Sequence, residues 1–138
     1  RRIISHKNDL NELLKVINYT PKTIMGYGAS TKGNVVLNYC DIKPSQLTKI
    51  CDQNPEKPGL LTPGSRIPII SKKEMRKIGP DYLLVFIWHF RKEVIEDEIE
   101  YIKNGGTLIF NLPRIHFVNK SNYKDYMKAS FDDLAYSF

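Results

Sequence analysis

The chain has 138 residues, 41% of them hydrophobic and 26% charged, which suits one soluble globular domain large enough to bury a core. No apolar run approaches the ~20 residues that a membrane helix needs, and the longest, YLLVFIW over Tyr82–Trp88, is strand-sized. A net charge of +6 favours anionic partners, although the basic residues are spread along the chain as on an ordinary solvated surface.

The other bounds are quickly drawn. Cys40 and Cys51 form neither a CxxC pair nor a metal pattern, and His6, His89 and His116 show no ligand spacing, so no metal is expected. Two free thiols point to a reducing cytosol. The sequence opens on Arg1 rather than Met and is expected to be a piece of a longer polypeptide.

In chain order, Leu10, Leu13, Leu14 and Ile17 make one apolar stripe of a helix, with Asn8 or Asp9 as its cap and Thr20-Pro21 as its stop. KTIMGYG reads as a short strand running into glycines. TKGNVVLNYC reads as a helix with Val35, Val36 and Tyr39 or Cys40 turned inward. LTKICDQN is a second strand. Three prolines and two glycines between Pro55 and Arg66 demand a loop. IPII is a short extended segment, and Ser71 three residues before Glu74 signals a capping box for a helix that ends on Gly79-Pro80. DYLLVFIW suits a central strand covered on both faces. FRKEVIEDEIEYIKNGG reads as one helix with Val94 or Ile95, Glu98 or Ile99, and Ile102 inward, stopped by Asn104-Gly105-Gly106. TLIFNLP and RIHFV are the last strands. Alternation of strand and helix from Thr23 onward predicts an α/β, Rossmann-like three-layer domain with a mainly parallel sheet and an N-terminal helix.

Ligands of such sheets bind beyond the carboxyl ends of the strands. The loop Gly26–Asn34 leaves the first strand there. Gly26 and Gly28 allow sharp turning and close approach, and Gly33 allows close packing of helix on strand. Amides of Ala29, Ser30 and Thr31 are expected to point outward at the start of the helix, where an anion is favoured, with Ser30, Thr31 and Lys32 adding side-chain contacts. Thr31 stands where a dinucleotide fingerprint has its third glycine, and Lys32-Gly33-Asn34 departs from a Walker loop. Asp52, ending the second strand, reads either as an acid for ribose hydroxyls or as a turn-forming Asp bonded to its own backbone. Trp88 and Phe90 read either as walls for a base or sugar ring or as core closure, with His89 a donor or an internally satisfied histidine. Arg114 ends the next strand at the same edge. Four strand ends, Gly26–Gly33, Asp52–Asn54, Trp88–Phe90 and Pro113–Arg114, thus describe a crevice for a phosphorylated, ring-bearing ligand.

In this order, GYGASTKGNVVLNYC, CDQNPEKPGLLTPGSRIPI, PDYLLVFIWHFRKEVIEDE and GGTLIFNLPRI resemble the C-terminal domain of the SAM-dependent C-methyltransferases that act on nucleotide-linked deoxysugars. The match runs from about Leu10 to Val118. It divides the chain into a domain over 1–118 and a tail over 119–138, expected as a docked helix, a partner-binding arm or a frayed end, with aromatics Tyr123, Tyr126, Phe131, Tyr136 and Phe138. The resemblance implies a three-part enzyme with an N-terminal zinc site, a middle SAM domain carrying the base, and this last domain facing the nucleotide-diphosphate sugar. It implies that Gly26, Tyr27, Gly28, Ala29, Ser30, Thr31, Lys32, Gly33, Asn34, Asp52, Asn54, Lys57, Trp88, His89 and Phe90 line the substrate side, where the strand-end argument adds Arg114. His89 is a candidate helper. SAM is expected on an upstream domain absent from this chain, despite the superficial likeness of GYGAS to a SAM motif, and the chain alone is expected to be inactive. The partners expected are a nucleotide-sugar and that upstream domain, with no membrane and no nucleic acid, and oligomerisation is left open. A stand-alone dinucleotide or CoA binder and a non-catalytic interaction domain are the alternatives.

Overall fold

A computed structural model describes residues 2–112 and 114–128, with side chains from residue 7 onward. Six strands make one sheet in the order β3-β2-β1-β4-β5-β6: β1 (Ile24–Tyr27), β2 (Ile50–Asp52), β3 (Ile69–Ser71), β4 (Tyr82–Val85), β5 (Thr107–Phe110) and β6 (His116–Val118). The first five are parallel and β6 returns antiparallel to β5. β1 and β4 lie side by side in mid-sheet, and all four residues of β1 are buried, as a continuous apolar run in a sheet covered on both faces requires.

Side chains alternate between two cores. On one face α1 (Arg2–Asn18) and α2 (Thr31–Tyr39) cover Ile24, Ile50, Leu84 and Ile109 with Leu10, Leu14, Ile17 and Leu37. Burying each of these side chains stabilises by roughly 1.5–3 kcal/mol. On the other face α3 (Lys72–Ile78), α4 (Arg91–Asp97), α5 (Ile99–Lys103) and α6 (Tyr123–Lys128) lie over Met25, Tyr27, Leu83, Val85, Leu108 and Phe110. These are the three layers expected. The helix α6 rests on this second core through Tyr123, Tyr126 and Met127, so the beginning of the tail is docked. Phe131, Tyr136, Phe138 and Pro113 lie outside the described residues.

Three expectations are corrected. The helix α1 starts at Arg2, and Asn8 and Asp9 are exposed within it rather than capping it, because no glycine or proline precedes them to stop the helix. The buried line of α2 is Gly33, Leu37 and Cys40, while Val35 and Tyr39 are exposed. The glycine carries no hydropathy signal, yet it lies closely against Phe86 and Gly28, the residues just past β4 and β1. The last long helix is two, α4 and α5, parted at Glu98 (φ −108°, ψ 27°). The capping signal at Ser71 holds: its Oγ accepts from the Glu74 amide at 3.0 Å, and Gly79 closes α3 in the left-handed region.

Candidate functional site at the carboxyl ends of the parallel strands

Parallel pairing places the loops after β1, β2, β4 and β5 at one edge of the sheet, and three of them touch. The ladders run on past the strands: Gly28 N–H donates to Cys51 O at 2.8 Å and Phe86 N–H to Tyr27 O at 3.0 Å. The loop after β1 is therefore stitched to both neighbours before it turns.

The glycines serve internal packing. A Cβ on Gly26 would meet the Ile50 side chain at 2.9 Å, and one on Gly33 would meet the Phe86 Cβ at 2.9 Å and the Gly28 carbonyl at 3.0 Å. Gly28 has φ +94°, open to few side-chain-bearing residues, and a Cβ there would meet Ile87 Cγ2 at 2.9 Å. The space that the sequence reading left for a ligand at Gly26 and Gly28 is thus filled by Ile50 and Ile87. The Tyr27 side chain likewise turns away from the loop: its ring is in the second core, and its hydroxyl donates to Glu98 Oε2 at 2.8 Å. Burial first, then the Glu98 charge, pushes its phenol far above the usual range.

Of the amides expected to point outward, that of Ala29 turns inward and donates to Asp52 Oδ2 at 2.8 Å. The other oxygen of Asp52 accepts from the Asn54 amide at 2.8 Å, and Lys57 Nζ lies 3.8 Å from the carboxylate. Asp52 is therefore the turn-forming Asp of the two readings, and it also ties the second loop to the first. Asn54 Oδ1 accepts from the Glu56 amide at 3.0 Å. Lys57 Nζ donates to the Ala29 carbonyl at 2.6 Å. Asp52, Asn54 and Lys57 thus all hold backbone. Ser30 caps α2, its Oγ accepting from the Gly33 amide at 3.0 Å, in extended backbone at φ −92°, ψ 169°. The first-turn amides of Thr31 and Lys32 have no intrahelical acceptor, and both residues are exposed. Asn34, one turn in, is half-buried.

After β4, Trp88–Phe90 make one 3-10 turn. Trp88 is half-buried against the second core, the bland reading of the two. His89 and Phe90 are exposed, their ring centroids 4.3 Å apart. Arg114 follows β5 at the same edge but acts toward β6, where Arg91 and Arg114 both disfavour a charge on His116. Sequence reasoning missed Ile87, which no motif marks, and Asn111, a fully buried amide just past β5 with neither its nitrogen nor its oxygen hydrogen-bonded among the described residues.

Two features that a SAM site would draw on at this turn are engaged within the chain. Ile87 and Ile50 occupy the room that the glycine turn would offer, and Asp52, the acid placed for ribose hydroxyls, is taken up by two amides and Lys57. Among the described residues no group of His, Cys, Asp and Glu could hold a metal ion, and no helix is long and apolar enough to cross a membrane.

Comparison with known proteins meets this geometry from another side. C-methyltransferase NovU of Streptomyces niveus is 36% identical to the chain over 104 residues. The match covers 75% of this chain and 25% of that protein, so the chain spans about a quarter of its relative's length. The profile of a family described as C-methyltransferase C-terminal domain matches residues 1–113. The chain belongs to the C-methyltransferase C-terminal domain family.

Proposed function

We propose that the chain is the substrate-binding C-terminal domain of a SAM-dependent C-methyltransferase. It holds a nucleotide-diphosphate sugar, the keto-deoxysugar outward, for methyl transfer by an upstream SAM domain in a cytoplasmic enzyme, and is inactive by itself. The observation that carries this reading is the pairing of two exposed features on one rim. The start of α2, with Thr31, Lys32 and free first-turn amides, suits an anion. The exposed His89 and Phe90 rings on the neighbouring turn, tilted 45° to each other, offer aromatic surface for a base or sugar. Family membership supplies the reaction class. The role of such a rim is to fix the sugar carbon near the methyl donor, a gain of proximity and orientation rather than of acid–base chemistry. His89 is exposed and free to reach the sugar as a helper, while the base belongs to the upstream domain.

The test is titration of the chain with dTDP and UDP, followed by amide chemical shifts. The expected result is perturbation at Ser30–Gly33 and His89–Phe90 and, for Lys32→Ala, affinity lower by about three- to tenfold. Silence at millimolar nucleotide would overturn the reading. NAD or CoA is expected to bind more weakly than dTDP, since Asp52 is already engaged.

A further inference from the structure

Ala29 is gripped on both sides by the loop that follows β2. Its N–H donates to Asp52 Oδ2 at 2.8 Å and its carbonyl accepts from Lys57 Nζ at 2.6 Å. The two peptide groups flanking one Cα are thus held by opposite charges, which fixes both backbone torsions of that residue. The grip is itself built. Asp52 Oδ1 accepts from the Asn54 amide, Asn54 Oδ1 from the Glu56 amide, and Asn54 O from the Lys57 amide at 3.2 Å, a chain of turns that brings Lys57 back over the first loop. Ala29 is 3% exposed and the Asp52 side chain 13% exposed, so neither presents itself to a ligand. The next residue is Ser30, whose extended backbone starts α2 and so sets where the Thr31 and Lys32 amides point.

We propose that Asp52 and Lys57 are positioning residues: they lock Ala29 and thereby preorganise the start of α2 for an anion, Asp52 without touching the ligand. This rests on the reading of the rim as an anion-binding surface. It predicts a sign that simple electrostatics does not. Asp52 is the acid nearest the loop, so removing its charge would strengthen anion binding if field alone mattered. Loss of a lock weakens it.

The experiment uses the whole chain with two probes, dTDP and inorganic pyrophosphate, the second lacking ribose. Asp52→Asn and Lys57→Met are expected to bind both about tenfold more weakly, and Lys57→Arg to recover most of the loss. Amide hydrogen exchange gives a ligand-free readout: Ala29 should exchange at least about tenfold faster in Asp52→Asn while core amides stay protected. If the variants bind as tightly as the wild type or tighter, the proposal falls and the anion site stands. If Asp52→Asn loses dTDP but keeps pyrophosphate, Asp52 touches ribose and the proposal also falls. If Ala29 exchange is unchanged, the lock does not exist in solution. If the wild type binds neither probe, the anion site itself falls and takes the proposal with it.

Discussion

At the scale of single residues, the contact that most organises the second core is one carboxylate. Glu98 is 1% exposed, yet its oxygens accept from Arg76 Nε at 3.0 Å, Arg76 NH2 at 2.6 Å and the Tyr27 hydroxyl at 2.8 Å. A buried charge is tolerable only with such partners. Arg76→Ala is therefore expected to destabilise by about 2–3 kcal/mol, below the range for fully buried pairs because Arg76 itself is half-exposed. Urea unfolding checks this. A loss under about 1 kcal/mol would mean that Tyr27 alone sustains the charge. Nearby, burial and then the Glu98 charge push the Cys51 thiol up to about 12, which makes it an inert core residue. Little of this was legible in sequence. Glu98 shared a helix position with Ile99 as an inward candidate, and nothing in FRKEVIEDEIEYIK shows that a tyrosine 71 residues earlier and an arginine from α3 supply its partners.

At the scale of elements, the strands were the legible part. YLLV, and LIF after Thr107, run without a polar residue, and a strand covered on both faces suits such a run. Helix faces were harder. The line that α2 turns to the sheet passes through Gly33, so a pattern built on hydrophobicity missed the glycine and chose the exposed Val35, while Val36 does pack against the first core. Gly33→Ala tests the correction. Helix propensity alone favours alanine by about 1 kcal/mol. The new Cβ, however, meets the Phe86 Cβ and the Gly28 carbonyl at 2.9 and 3.0 Å, and backbone cannot step aside as a flexible side chain would. Overpacking of this kind costs about 1–3 kcal/mol. The expected outcome is a net loss of about 1 kcal/mol, seen as a lower melting temperature; a gain would show that the helix slides outward freely. The break between α4 and α5 was illegible for the opposite reason. The apolar spacing runs straight through it, and the interruption falls at Glu98, where Tyr27 and Arg76 converge.

For the whole molecule, His116 is a group through which acid acts on the fold. It joins four elements: its ring stacks between Phe110 of β5 and Tyr126 of α6, its Nδ1 lies 2.8 Å from Arg114 O, and Arg91 of α4 faces Tyr126. Burial first, then the Arg91 and Arg114 charges, pull its pKa down to about 4, against the Arg114 carbonyl, which raises it. The folded value lies below the unfolded one, so unfolded chains bind the proton more readily between the two. The contribution is complete above about pH 6.5, falls away as pH drops toward 4, and changes no further below that. Its size is on the order of 3 kcal/mol. His116→Phe is expected to flatten that stretch of the stability–pH curve. Unchanged slope in the variant would assign the acid sensitivity elsewhere. The shared edge of the sheet was read from sequence correctly, because parallel topology delivers strand ends to one side regardless of side-chain detail. The role of Asp52 on that edge stayed open between two readings, since whether an aspartate meets a ribose or a neighbouring amide depends on two loops that the sequence keeps 23 residues apart.

The central pair β1–β4 also governs how the chain is made. It aligns Ile24 with Tyr82, and beside it Asp81 takes the Thr23 amide across 58 residues. During synthesis β1 waits, with one side open, until the chain through Val85 has left the ribosome. Native structure then closes over long loops, which slows folding and leaves a nascent hydrophobic edge for chaperones to shield. Chains truncated before Val85 inherit that open edge permanently, and aggregation is their natural fate.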